Sequence, residues 1–348
     1  MKIKILSLII KNGGALKDVK IDFTDNGQPQ SVIVLGGANG SGKTTVLELI
    51  FELVALFRFH QHITKKIPDI LKQTEYAELE LLIDDEKHSV FFDKASFPDK
   101  QTQEKIFQLH QEDNNKHGIV YQAFFENAQG WSMSNSEISE KMSRLIALKQ
   151  GKPSSFILSS SDLNKLETIP SILYFPHNRE LLPVTGEQIH REEIKYQWCY
   201  RYQNQSNFPG SLESYLIWLD YAEPEIFQSV IDFLNQLDFE GKTFYIHRKT
   251  LSVRVKTRNS GEHAFNQLSS GEQNILILLL ELRRRLIPGS IVLLDEIENS
   301  LHPAFQHRLA KNLLQLQRQI PFQLILTTHQ PTFVKIFGEN CTRILTEF

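Results

Sequence analysis

The stretch LGGANGSGKTT, residues 35–45, sets glycines, hydroxyls and one lysine between an apolar run and an amphipathic one. From Gly37 to Thr44 it fits G-x-x-x-x-G-K-[ST] at every fixed position. Glycines let successive backbone N–H groups converge on one concavity, a helix starting near Lys43 adds its positive end, and the lysine ammonium closes the cage. That cage suits a triphosphate: Lys43 would bridge the β- and γ-phosphates and the Thr44 hydroxyl would ligate Mg²⁺. Gly37, Asn39, Gly40, Ser41, Gly42, Lys43, Thr44 and Thr45 are the candidate nucleotide-binding residues. A second stretch, IVLLDE (291–296), ends an apolar strand in two acids. Asp295 is placed to hold the magnesium through water and Glu296 to polarise the attacking water. In LILTTHQ (324–330) a strand end again carries a polar group, His329, within reach of a γ-phosphate. Catalytic candidates are therefore Lys43, Glu296 and His329, with Thr44 and Asp295 as metal ligands.

These residues need strand ends that converge. SVIVL (31–35) reads as a buried strand, and apolar residues at helical spacing from Val46 to Phe57 predict the helix after the loop. IKILSLII (3–10) and 19–23 open a sheet, and AELELLID with KHSVFFD reads as an antiparallel pair. SILYFP (171–176) is another buried strand, with helical patterns following at about 187–204 and 211–237. KTFYIHR and TLSVRVKTR alternate as a hairpin before a helix from about Ser270 to Leu286. Strand IVLLD, a helix from Pro303 to Gln319 and strand FQLILTT close an α/β pattern. LSSGEQ (268–273), just before the acidic strand, is a serine-capped helix start that offers N–H donors to an anion.

The composition suits this layout. The chain has 348 residues, 41% hydrophobic and 23% charged, as in a soluble protein of one large or two modest domains. A net charge of −3 gives no global field for nucleic acid and leaves only a local basic patch open. Cys199 and Cys341 are too few for a disulfide framework or zinc site, which fits a reducing cytoplasm. The apolar run 3–10 carries a lysine and is too short to span a bilayer.

The order of phosphate loop, LSSGEQ, IVLLDE and TTH resembles the ATP-binding-cassette (ABC) ATPases. The resemblance covers roughly 1–58 and 168–345 and implies an α/β P-loop NTPase core sheet with an antiparallel β subdomain and an inserted helical lobe. It divides the chain into an N-terminal ATPase lobe (1–94), a mostly helical insertion (95–240, with strand 171–176 in the core) and a C-terminal lobe (241–348). It also implies that Ser269 and Gly271 press on the γ-phosphate held by a second copy, so that ATP is sandwiched in a head-to-tail homodimer. DEIENSLHP (295–303) resembles the non-transporter branch: SMC-like and RecF-like repair ATPases, OLD enzymes and the ATPases of anti-phage and abortive-infection systems, among them Septu-like ATPase subunits. Asn299, Ser300 and Leu301 would form the loop that couples the two sites. Where that family commonly has a glutamine, His177 stands, followed by Asn178 and Arg179, and which of the three inherits its role stays open; Arg179 is open between a phosphate or partner contact and a surface salt bridge.

On this resemblance the expected function is a Mg²⁺-dependent ATPase that regulates a separately encoded effector, a nuclease by expectation, in anti-phage defence. A DNA-clamping maintenance ATPase and a transporter subunit are the alternatives. DNA as a partner is left open and a membrane is not expected. Arg283, Arg284 and Arg285 suit a helix C-terminus better than DNA phosphates. YQWCYRYQNQ (196–205) suits a helical protein interface better than base stacking. His60, His62, His88, His110, His117 and His190 lack metal-ligand spacing and are expected at the surface.

Overall fold

The computed structural model describes residues 1–58, 68–93, 119–127, 130–135, 137–152, 160–237, 239, 241–259 and 261–345. Six parallel strands form the central sheet, in the order Cys199–Arg201, Ile172–Phe175, Ile291–Leu294, Gln323–Thr328, Val32–Gly37 and Thr342–Leu345. A parallel sheet is covered on both faces, so its strands are unbroken apolar runs whose alternate residues go to opposite cores. Ile33, Leu35, Tyr174 and Leu293 enter one buried cluster, while Val34, Phe175, Val292 and Leu294 enter the other. The first cluster includes the helix Lys43–Ala55 and the N-terminal strands. The second includes the helices Leu212–Ala222, Pro224–Gln236, Ser270–Arg285 and Pro303–Gln319.

A second six-stranded sheet runs Leu16–Asp22, Ile3–Gly13, Thr74–Ile83, Glu86–Asp93, Ile119–Asn127, Gly130–Asn135. All its pairings are antiparallel except the one between Glu86–Asp93 and Ile119–Asn127. Gln323, fully buried, clips this sheet to the central one: its amide accepts from Ile5 N at 2.8 Å and donates to Ile5 O and Gln30 O at 3.0 Å each. A buried amide satisfied on both sides fixes how the two sheets meet.

Several expectations fail. Residues 187–204 form no helix; Cys199–Arg201 is the edge strand of the central sheet. Trp198 is fully buried and its indole N–H donates to Val54 O at 3.0 Å, so tertiary packing overrides the helical spacing. The 211–237 helix is two, broken at Glu223 where Pro224 starts the second. Within the expected helical insertion 95–240, Ile119–Asn127 and Gly130–Asn135 are strands that extend the second sheet, and 94–118 lies outside the described residues. His60, His62, His110 and His117 also lie outside them. His88 is buried rather than at the surface, and half-buried His190 packs its edge on Phe208 at 6.0 Å. Among the described residues no helix is long and apolar enough to cross a membrane.

Candidate nucleotide-phosphate site

Parallel pairing brings several strands to an end side by side: Leu326 is in register with both Leu294 and Val34. Open α/β sheets bind ligands at this carboxyl edge. After Val32–Gly37 the chain turns through Gly40 and Gly42, at φ +81° and +84°, a conformation that side chains resist. A Cβ on Gly42 would also sit 2.6 Å from Leu16 Cγ. The Lys43 ammonium is buried and donates to Ala38 O at 2.7 Å, Gly37 O at 3.0 Å and Ser41 Oγ at 3.4 Å. Burial lowers its pKa below the usual lysine value, while the carboxylates of Glu296, Glu298 and Asp295 oppose that shift. Thr45 lies half-buried against the turn at Gly14, with its hydroxyl 3.2 Å from where a Cβ on that glycine would be.

Asp295 has no exposed surface, and its carboxylate accepts from Thr44 Oγ1 at 2.9 and 3.1 Å and from Thr327 Oγ1 at 2.7 Å. The same Thr327 oxygen accepts from Glu296 N at 2.7 Å. Thr327 went unnoticed in the sequence, although two threonines interrupting an apolar strand just before a histidine are the signal for it. Glu296 itself takes φ +44°, a strained turn of the kind that clusters at functional sites. Exposed His177 places Nδ1 3.6 Å from Asp295 Oδ2, and Asn178 beside it is exposed.

Asn39, Glu296, Glu298, Asn299, Ser300, His329 and Gln330 line an open cavity of about 520 Å³ beside these groups. His329 N donates to Glu298 Oε1 at 2.5 Å, and its side chain is exposed. Ser269 and Gly271 are not among the lining residues. Ser269 caps the Ser270–Arg285 helix in a capping box: its oxygen accepts from Glu272 N at 3.4 Å, and Glu272 accepts from Ser269 N at 3.0 Å and Oγ at 2.7 Å. Burial pushes the Glu272 pKa up, but Lys242 at 2.6 Å and the Ser269 hydrogen bonds outweigh it and leave the carboxyl below its usual value. A Cβ on Gly271 would sit 2.5 Å from Ser300 O, so glycine lets this helix touch the 299–301 loop.

Arg179 is neither a phosphate contact nor a surface salt bridge. It is buried and donates to backbone carbonyls at the ends of two strands. Arg284 and Arg285 pair with Glu281 at 3.0 and 2.5 Å, and Arg285 lies 3.7 Å over the Tyr200 ring. Arg283 donates to Ser229 Oγ at 2.6 Å. Arg284 and Arg285 are thus spent inside the molecule, whereas Arg283 is exposed. In the 196–205 stretch Trp198 and Tyr202 are buried, Tyr200 donates to Glu281 at 3.0 Å, and Arg201 contacts Glu48 and Glu52 at 3.2 Å each.

A family model described as "AAA domain, putative AbiEii toxin, Type IV TA system" matches residues 32–335. Among curated proteins the chain is similar to the Escherichia coli "Retron Ec83 probable ATPase", with 41% identity over 88 residues; the match spans 22% of this chain and 16% of that protein's length. Similar solved structures include the SMC head domain from Thermotoga maritima, at 13% identity and TM-score 0.38, covering 96% of this chain and 92% of that one. Another is a dimeric bacterial ABC transporter cassette, at 14% identity and TM-score 0.38, covering 99% and 94%.

Proposed function

The chain belongs to the AbiEii-type AAA-domain family whose model spans residues 32–335, and from that premise we propose that it is an ATP hydrolase that dimerises around ATP to control a separately encoded effector in anti-phage defence. One observation carries the chemistry: Thr44 Oγ1, at the start of the phosphate-loop helix, lies 2.9 Å from the buried Asp295 carboxylate. Two oxygen ligands facing one point suit a hard divalent cation, which takes few protein ligands and completes its shell from phosphate and water. Thr44 and Asp295 would hold magnesium, which when bound neutralises charge on the β- and γ-phosphates.

Backbone N–H groups of the glycine turn and the Lys43 ammonium bind the phosphates of the substrate. Lys43 is held by loop carbonyls, so it is placed before the substrate arrives. Glu296 accepts the proton of the water that attacks the γ-phosphorus as the bond to the β–γ bridging oxygen breaks, giving ADP and phosphate. His177 stands beside Asp295, and His329 at the cavity mouth can touch the γ-phosphate. Ser269 and Gly271 act on the nucleotide of the second copy, an arrangement supported by the exposure of Ser269 at a capped helix start that does not line its own protomer's cavity, while Gly271 is buried behind it. The defence role draws on the family description and on the similarity to a retron ATPase.

Glu296→Gln tests the reading. It should keep ATP affinity within about threefold while hydrolysis falls by about 10²–10⁴-fold, with ATP-bound dimer accumulating by light scattering. A variant that turns over at the parental rate rules Glu296 out. Ser269→Arg should bind nucleotide as a monomer and lose turnover; normal hydrolysis by it would remove the two-copy site.

A further inference from the structure

The Arg179 side chain makes contacts that the phosphate chemistry does not use. Its Nε donates to Asn274 Oδ1 at 2.6 Å, in the first turns of the Ser270–Arg285 helix. Nη1 donates to Pro176 O at 2.6 Å, Asp295 O at 2.8 Å and Phe175 O at 3.2 Å, and Nη2 donates to Glu296 O at 3.0 Å. Asn274 in turn donates to Asn299 O at 2.8 Å, and Asn299 Nδ2 donates to His177 O at 2.9 Å. One guanidinium therefore joins the strand end at Phe175, the Asp295–Glu296 turn and the capped helix, and the amides extend the frame to the 299–301 loop.

Burying a guanidinium is expensive, and apolar residues of similar volume commonly stabilise a core as well or better. Among the described residues every hydrogen-bond acceptor of this one is a carbonyl or an amide oxygen rather than a carboxylate. Burial depresses its pKa to about 10, with the nearby Asp295 charge opposing, so it stays cationic at neutral pH. What a guanidinium offers is a rigid planar fork of five donors, which an ammonium on a flexible stem cannot reproduce. The atoms it grips include both peptide oxygens of the acidic pair, and one of those residues holds a left-handed backbone.

We propose that Arg179 is a positioning residue for hydrolysis: its fork holds the Asp295–Glu296 turn in the conformation that aims the Glu296 carboxylate, and ties that turn to the capped helix through Asn274. This rests on the reading of Glu296 as the base. Small misplacement of a catalytic group costs up to about 10²-fold in rate, whereas nucleotide affinity belongs to the phosphate loop.

The test compares kcat and KM for Mg·ATP, and binding of a fluorescent ATP analogue, in the parent, Arg179→Lys, Glu296→Gln and the double variant. Arg179→Lys should lower kcat by about 30-fold with analogue affinity within about threefold. In the Glu296→Gln background the same change should have no further effect, because the group it positions is gone. A lysine variant with parental kcat overturns the inference, as does a double variant slower than Glu296→Gln by the full factor of the single one. If Arg179→Lys shows no cooperative thermal transition, Asn274→Ala replaces it, with kcat expected to fall several-fold in the parent and not in the Glu296→Gln background; an unchanged kcat overturns the inference. An inactive parent or an unimpaired Glu296→Gln overturns the hydrolase reading and this inference together, while those two behaving as expected beside an unimpaired Arg179→Lys overturns this inference alone.

Discussion

The phosphate loop and the Arg179 frame flank the same carboxylate, yet they are built by different means. In the loop, Lys43 reaches carbonyls only five and six residues back, and two left-handed glycines supply the curvature. In the frame, Arg179 reaches across 95 residues to Asn274 and 117 to Glu296, and burial with a planar fork supplies the order. A local cage depends on what the backbone can do, so it is vulnerable at glycine. A long-range frame depends on which strands and helices have already met, so it is vulnerable at the polar groups that join them.

The largest expected effect strikes the loop. Gly42→Ala places a side chain at φ +84° and against Leu16, at a cost of about 2–4 kcal/mol. Titration calorimetry should find ATP affinity reduced about 30- to 700-fold, following that cost at 1.4 kcal/mol per factor of ten. Parental affinity would mean that the cage is not shaped by its glycines and the contrast is false. A middle effect is expected where the two halves meet. Thr327→Val keeps the shape but strips Asp295 of one donor and leaves Glu296 N unpaired, costing about 1–3 kcal/mol. Steady-state kinetics should show kcat down about tenfold with KM within about threefold; a change in KM alone would assign Thr327 to the binding side instead.

The smallest effect concerns the platform beneath the capped helix. Glu213, nearly buried on the Leu212–Ala222 helix, accepts from Val253 N at 2.7 Å, and burial pushes its pKa up to about 7. A raised carboxyl pKa favours folding fully below the unfolded value, near 4.5, and that contribution is lost as pH rises through 7. Between pH 6 and 8 the parent should lose about 1 kcal/mol of unfolding free energy that Glu213→Gln does not lose. Parallel denaturant curves for the two proteins would contradict this, and would show that the platform does not titrate.

The reach of the sequence follows the same division. Strands such as IVLL and LILTT were legible because both faces of a parallel sheet demand apolar residues, and the Ser269 cap because its partner Glu272 stands three residues away. Arg179 was misread because nothing adjacent to it marks a buried guanidinium. The aromatic stretch 196–205 was misread because its helical spacing hid an edge strand pinned by Trp198 to Val54, a contact spanning 144 residues.

By itself, the sequence determined the phosphate cage, the acidic strand end and the helix that carries the serine cap, since each depends on backbone freedom and hydrogen bonds within a few residues. Only the tertiary structure decided that His177 faces the Asp295 carboxylate while Arg179, two positions on, turns inward to the peptide oxygens behind it. Neighbours in a chain share composition but not surroundings, and the surroundings here come from strands and helices about a hundred residues apart or more.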